Sequence, residues 1–250
     1  MNQNEIMNVA ADTGSLMLLG GAESFRIEET VEHVGKSLGL ELSCYVTLTA
    51  VFVSADDLPL TKVVKPKLSG FNLQTVDEVN SISRKLESKE ITPEEYKKEI
   101  NNIHHYVKDY SKWSQYLAAG LVSMAPVFIN QVKMIDYPIM AIFGIFGFMI
   151  YKFISKYSET PYVAEFMGGL LVAIFSIILN QFELVDHYQL IMVGALMPLV
   201  PGTAITTSIR EIVSGHMLSG IVRSLNAIIS LSSIAAGAIV GLEMIEHLFN

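Results

Sequence analysis

The stretch MPLVPGTAITTSIREIVSG, residues 197–215, follows an apolar run, Leu190–Leu196, that should complete a bilayer-spanning helix. Instead it carries Pro198, Pro201 and Gly202 to membrane depth. Proline removes a backbone donor and clashes with the preceding turn. Such a break is tolerated in a bilayer only where it packs in protein or lines a water-filled path. If a helix restarts after Gly202, it presents amides and the positive end of its dipole. Thr203, Thr206, Thr207 and Arg210 then share one face, at i, i+3, i+4 and i+7. Hydroxyls, amides and a guanidinium together suit a carboxylate-bearing solute, and secondary transporters use broken-helix ends in this way near the midplane. The competing reading is a proline kink, with the threonines bonding back to their own helix and Arg210 snorkelling to the surface.

Two further polar stripes run through apolar segments. Glu165, Gly169, Ser176 and Asn180 fall on one helical face with Ala173 between them. Asn226, Ser230, Ser233, Gly237 and Gly241 form a second, and Gly144 and Gly147 mark another segment. Small residues let helices approach closely, so helix packing explains the glycines. An ionisable or amide side chain at depth is costly and usually faces a cavity. The substrate-contact candidates are therefore Pro201, Gly202, Thr203, Thr206, Thr207 and Arg210, with Glu165, Asn180, Asn226 and Ser230.

A third group, Glu23, Arg26 and Glu28, would be the site of a membrane-tethered hydrolase, yet no nucleophile–base pair accompanies it. Helix-start acids with a local arginine partner are the plainer account. His104 and His105 are adjacent and point to different helix faces, which is not metal spacing, and Asp56-Asp57 reads as a turn. The chain has no P-loop, no Gly-x-Ser-x-Gly and no zincin signature. No cofactor or metal is expected, and any transport would be gradient-driven or passive.

The elements that must position these residues divide in two. Residues 1–112 hold 12 of the 17 Lys/Arg and 17 of the 25 Asp/Glu; the rest is strongly apolar. A mean hydropathy of +0.42 is too high for an ordinary soluble domain. The fold expected is an α+β cytoplasmic domain, 1–112, followed by an α-helical membrane domain, 113–250, of about five transmembrane helices. The spans lie near 113–130, 137–154, 161–182, 188–209 and 217–242, each near the ~20 residues that cross a bilayer. The fourth is the one broken at Pro201-Gly202. Lys108, Lys112, Lys152, Lys156, Arg210 and Arg223 fall on one side and only Lys133 on the other, which predicts N-terminus in and C-terminus out. No signal peptide is expected. The acidic balance argues against nucleic acid, and the single cysteine, Cys44, suits a cytoplasmic half.

Within 1–112, residues 4–19 and 23–39 read as amphipathic helices separated by Gly20-Gly21. Residues 43–54 read as a strand, with a second near 61–67. Leu73, Val76, Val79, Ile82 and Leu86 mark a third helix. Thr92-Pro93-Glu94-Glu95 opens a fourth with a capping box.

GGAESFRIEET (20–30) together with PGTAITTSIREIVSGHMLSG (201–220) resembles the threonine/serine exporter family. The resemblance rests on Gly21, Ala22, Glu23, Ser24, Arg26 and Glu28 in the first motif, and on Pro201, Gly202, Arg210, Glu211 and Gly215 in the second. It runs through the whole chain. It implies a multi-pass protein of the bacterial cytoplasmic membrane that exports small carboxylate-bearing metabolites: threonine and serine, or a C4-dicarboxylate such as succinate. It also implies the larger component of a split exporter, an oligomer in the lipid bilayer with a smaller membrane subunit, and not an enzyme. A scaffold or sensor regulating a separate transporter is the remaining alternative.

Overall fold

The computed structural model describes residues 1–56, 58–66, 71–106, 110–128, 136–158, 160, 162–182, 185, 187 and 188–249. Side chains of 104–106, 127–128 and 248–249 are outside that description. The paired histidines, Asp57, Lys133 and Asp186 therefore lie outside it in whole or in side chain.

The chain is mostly helical and resolves into two compact units. One comprises Met1–Asp109 with Ile205–Ser224, the other Tyr110–Ala204 with Leu225–Asn250.

In the first unit, α1 (Gln3–Gly20) and α2 (Ser24–Ser37) precede three antiparallel strands, β1 (Leu42–Val46), β2 (Val51–Ala55) and β3 (Thr61–Val64), in the order β1-β2-β3. The expected single strand over 43–54 is a hairpin instead. Thr47 Oγ1 accepts from the amides of Thr49 and Ala50, and the Thr47 amide donates to the Ala50 carbonyl at 2.9 Å. The threonine side chain offers the backbone a turn in place of a ladder. Period-2 alternation buries Leu42, Val46, Val51, Val53 and Ala55 on one face, leaving Tyr45, Phe52 and Val63 in register on the other. Helix α3 (Leu73–Glu87) buries Val76, Val79, Ile82 and Leu86, as its spacing predicts. Helix α4 (Pro93–Tyr106) opens on the expected box: the Glu95 amide donates to Thr92 Oγ1, and the Thr92 amide to Glu95 Oε2 at 2.7 Å.

Helix α1 is buried along most of its length, through Ala10, Ala11, Thr13, Gly14 and Met17. A Cβ on Gly14 would meet Val31 Cγ2 at 2.9 Å and Val51 Cγ1 at 3.0 Å, so only glycine lets α1 lie this close to α2 and β2. The buried Tyr96 hydroxyl is satisfied by Thr13 Oγ1 at 2.9 Å and Ser83 Oγ at 3.1 Å, tying α4 to α1 and α3. Burial pushes that phenol up to about 12.

The second unit contains α5 (Lys112–Ser123), α6 (Asp136–Tyr157), α7 (Val163–Gln181), α8 (Tyr188–Leu196) and most of α10 (Met217–Phe249); α9 (Gly202–Val213) starts in it. Helices α6, α7 and α10 are each long and apolar enough to cross a membrane, and Tyr188–Leu199 with Gly202–Val213 makes a fourth crossing if the broken pair is one span. Helix α5 has 12 residues, roughly 18 Å at 1.5 Å each, and Ala125-Pro126 turns it into a short 3-10 segment. Alone it falls short of the ~30 Å hydrocarbon core.

The two small-residue stripes face each other. A Cβ on Gly169 would collide with the Ile234 carbonyl, one on Gly237 with the Phe166 carbonyl, and one on Gly241 would lie 2.6 Å from the Leu170 oxygen. These glycines set backbone-to-backbone packing of α7 on α10, the use that small residues have in bilayers.

Candidate functional site

The first unit brings together the start of α2 and the segment from the end of α9 to the start of α10. Both are delivered by the same device. Gly21 (φ 83°) ends α1, with its amide on the Leu18 carbonyl and the Ala22 amide on Met17. Gly215 (φ 89°) ends α9, with its amide on Ile212 and the His216 amide on Glu211. This is the left-handed helix stop that glycine adopts without a Cβ penalty. Glu23 and Ser24 follow the first stop, and His216 follows the second.

Glu23 sits at the N-cap of α2, but its carboxylate does not cap the helix. It lies between two guanidiniums: Oε2 is 2.9 Å from Arg26 Nε, and Oε1 accepts from Arg210 Nη1 at 2.9 Å. The capping role falls to Glu211, from 187 positions away. Its Oε1 accepts from the Ser24 amide at 3.3 Å and the Ser24 hydroxyl at 3.2 Å, so a carboxylate stands at the positive end of α2. Glu211 has no exposed surface, and Arg223 Nη2 compensates it at 3.2 Å. Glu28 completes the set. Its Oε1 accepts from the Val46 amide at 2.9 Å, and its Oε2 lies 2.7 Å from His216 Nε2. Glu32, one turn on, accepts from the Cys44 amide at 3.1 Å, so both carboxylates terminate edge strand β1. Burial, then the charges of Glu28 and Glu32, push the Cys44 thiol up to about 12. Three buried polar atoms here have no partner among the described residues: Glu211 Oε2, His216 Nδ1 and Arg223 Nε. That is a pattern ordered water commonly satisfies.

The run Val200-Pro201-Gly202 forms a tight turn in which the Gly202 amide donates to the Val200 carbonyl at 2.8 Å. Gly202, Thr203, Thr206 and Thr207 all have interaction partners. Thr203, Thr206 and Arg210 are exposed, Pro201 and Thr207 half-buried. A Cβ on Gly202 would meet nothing within 4 Å.

In the second unit, Glu165 and Asn226 line one cleft of about 380 Å³, and Asn226 Oδ1 accepts from the Tyr162 hydroxyl at 3.0 Å. Ser230, one turn along α10, is buried. Asn180 lies at the far end of α7, more than 20 Å along the axis at ~1.5 Å per residue, and does not join this cleft. Sequence reasoning missed three participants: His216, Arg223 as a buried partner, and Tyr162. A lone arginine inside the 217–242 apolar run was the available signal, since a charge at depth requires a counter-charge.

No curated protein and no solved structure is significantly similar to the chain. The family model of the threonine/serine exporters matches residues 8–245. That span takes in both motifs and the ion pairs joining them, and it makes the chain a member of the threonine/serine exporter family.

Proposed function

We propose that this protein is the larger component of a two-subunit exporter of small carboxylate-bearing metabolites, threonine/serine or a C4-dicarboxylate such as succinate, in the bacterial cytoplasmic membrane. Residues 1–112 form its cytoplasmic domain, the C-terminus lies outside, and α5 with the turn that extends it is the first of about five crossings. A smaller membrane subunit completes the transport unit. The observation that carries this reading is the Glu23–Arg210 pair. Arg210 holds a carboxylate already, that of the chain's own α2, and a solute carboxylate is the same chemical group. With its side chain 66 % exposed, Arg210 is open to such an exchange. Solute that takes Arg210 releases Glu23 to Arg26 alone, so binding and the opening of a latch at α2 are one event. The hydrolase alternative fares worse: the carboxylates of Glu23 and Glu28 are both held by cationic or amide partners, and the Ser24 hydroxyl donates to Glu211.

Flux in liposomes containing both subunits tests the reading. Arg210→Ala removes a charge-assisted contact worth ~1.5–3 kcal/mol, and half-saturation should rise by roughly tenfold to hundredfold. Arg210→Lys should recover only part, since a point charge lacks the planar fork. Unchanged half-saturation in Arg210→Ala at equal protein level overturns it.

A further inference from the structure

We propose that the outer face of the three-stranded sheet seats on the bilayer surface, with Tyr45, Phe52 and Val63 in the boundary between headgroups and acyl chains. The occupant of this face is lipid.

The strand register sorts the face into two rows. Tyr45 pairs with Phe52 and Phe52 with Val63, and all three side chains are exposed. The Tyr45 and Phe52 rings lie 6.4 Å apart. Two residues along each strand, roughly 7 Å away, Ser43 pairs with Ser54 and Ser54 with Thr61. This second row is hydroxylic. Ser54 Oγ and Thr61 Oγ1 are 3.3 Å apart, and Ser43 Oγ donates to Asp56 Oδ1 at 2.6 Å. Among the described residues, no outward position of these strands carries a charge. The face is thus apolar at one end and polar at the other. A membrane interface is graded in the same way, and tyrosine is enriched there. Lys65 is exposed just beyond β3, at the apolar end, where a long side chain reaches headgroups while its stem stays on apolar surface.

The apolar end is also the one beside a membrane helix. A cleft of about 330 Å³ is lined by Tyr45 and Val46 of β1 and by His216, Met217 and Leu218 at the start of α10. All of these belong to the first unit. Helix α10 is long and apolar enough to cross a membrane. Its 33 residues measure about 50 Å at 1.5 Å each, more than the ~30 Å hydrocarbon core. Part of it therefore runs outside the hydrocarbon, and the Arg223–Glu211 ion pair near its second turn marks this end as that part. Met217, Leu218, Ile221 and Val222 are nevertheless exposed there. With Tyr45 across the cleft, they extend the apolar row toward the entering helix. Exposed apolar patches of this kind mark protein or membrane contacts. A stable protein interface uses ~20–30 residues a side, which a three-residue row does not supply. Interfacial seating needs only a shallow burial of ~5–10 Å, which it does.

Tryptophan depth measurement tests the assignment. The full chain is reconstituted in vesicles of phosphatidylethanolamine and phosphatidylglycerol, with its single tryptophan, Trp113, replaced by phenylalanine. Phe52→Trp and Val63→Trp are read in turn, with Glu90→Trp, exposed beyond the far end of α3, as the control. The two sheet variants should lose roughly half of their emission to lipid brominated high on the acyl chain and little to lipid brominated near its methyl end, as side chains ~5–10 Å into the boundary do. The control should respond to neither. The proposal is overturned if both sheet variants stay as bright as the control in either lipid. It is also overturned if the deeper bromine quenches them more, which would place the sheet in the hydrocarbon. Emission that ignores both lipids but shifts with protein concentration would assign the face to a second copy of the chain, and the lipid assignment would fall.

Discussion

Glu23 and Arg210 are 187 positions apart in the chain, and their side chains meet at 2.9 Å. One residue further along each segment, Ser24 and Glu211 repeat the contact in a buried form. The two motifs are thus bonded twice, once at the surface and once inside. The inner contact carries an arginine of its own, Arg223, whose side chain is 11 % exposed.

This division ranks the arginines. Arg223→Ala strands the Glu211 carboxylate without compensation, a change that costs ~3–5 kcal/mol. Arg210→Ala breaks a half-exposed pair and costs about 1 kcal/mol or less. Thermal unfolding in detergent should show a large fall for the first and a small one for the second. Equal falls would mean that Glu211 is not held as a buried ion.

The glycines separate in the same assay. Gly21→Ala forces a side chain into a left-handed position against the Phe71 ring and should cost at least ~1–2 kcal/mol. Gly202 has open space and no positive φ, so Gly202→Ala and Gly202→Leu should leave the midpoint unchanged. Gly202→Leu should nevertheless abolish liposome flux, by blocking close approach of the solute to the turn. Normal flux in Gly202→Leu removes that turn from the path.

Cys44 bears on topology. With its thiol pushed up to about 12, the thiolate fraction at pH 8 is about one in ten thousand. Maleimide labelling of the parent should therefore be very slow and rise about tenfold per pH unit. Against that silent background, an impermeant reagent on intact cells should miss Val63→Cys and label His187→Cys. The reverse pattern would invert the orientation drawn from the basic residues.

Asp12 predicts a pH effect of defined sign. Burial on α1 raises its carboxyl, and Lys62 opposes the shift only in part. The folded state therefore holds this proton more tightly than the unfolded chain. Its penalty is fully present above the folded pKa and disappears as pH falls below the unfolded value. Asp12→Asn should raise the thermal midpoint at pH 7 and match the parent in strong acid. A constant difference across that range would assign the effect to packing instead.

Much of this was legible in the residues. The capping box at Thr92, the periodicity of α3, the break at Pro201-Gly202 and the small-residue stripes are local patterns, and local patterns can be read from sequence. The hairpin at Thr47 was not, because β-branched residues on both sides hid a turn made by one hydroxyl. The reading of residues 201–210 named Arg210 as a contact for a solute carboxylate and did not name Glu23 as its partner within the chain. Helical spacing tells which side chains share a face of α9. It cannot tell that Glu23 faces the same point from another helix, because that depends on two glycine stops whose φ angles place α2 and α10.

The contact between Ser24 and Glu211 also dictates an order of events during synthesis. The apolar core of the first unit is built from residues between Ile6 and Ile103, so it can close once that segment has left the ribosome. Glu23, Ser24 and Glu28 must then wait through the synthesis of more than a hundred further residues before Arg210, Glu211 and His216 emerge. During that interval the start of α2 carries two acids and an uncapped amide facing water. Every chain thus passes through a stage with this corner unoccupied, and the corner closes only after the broken helix has been made.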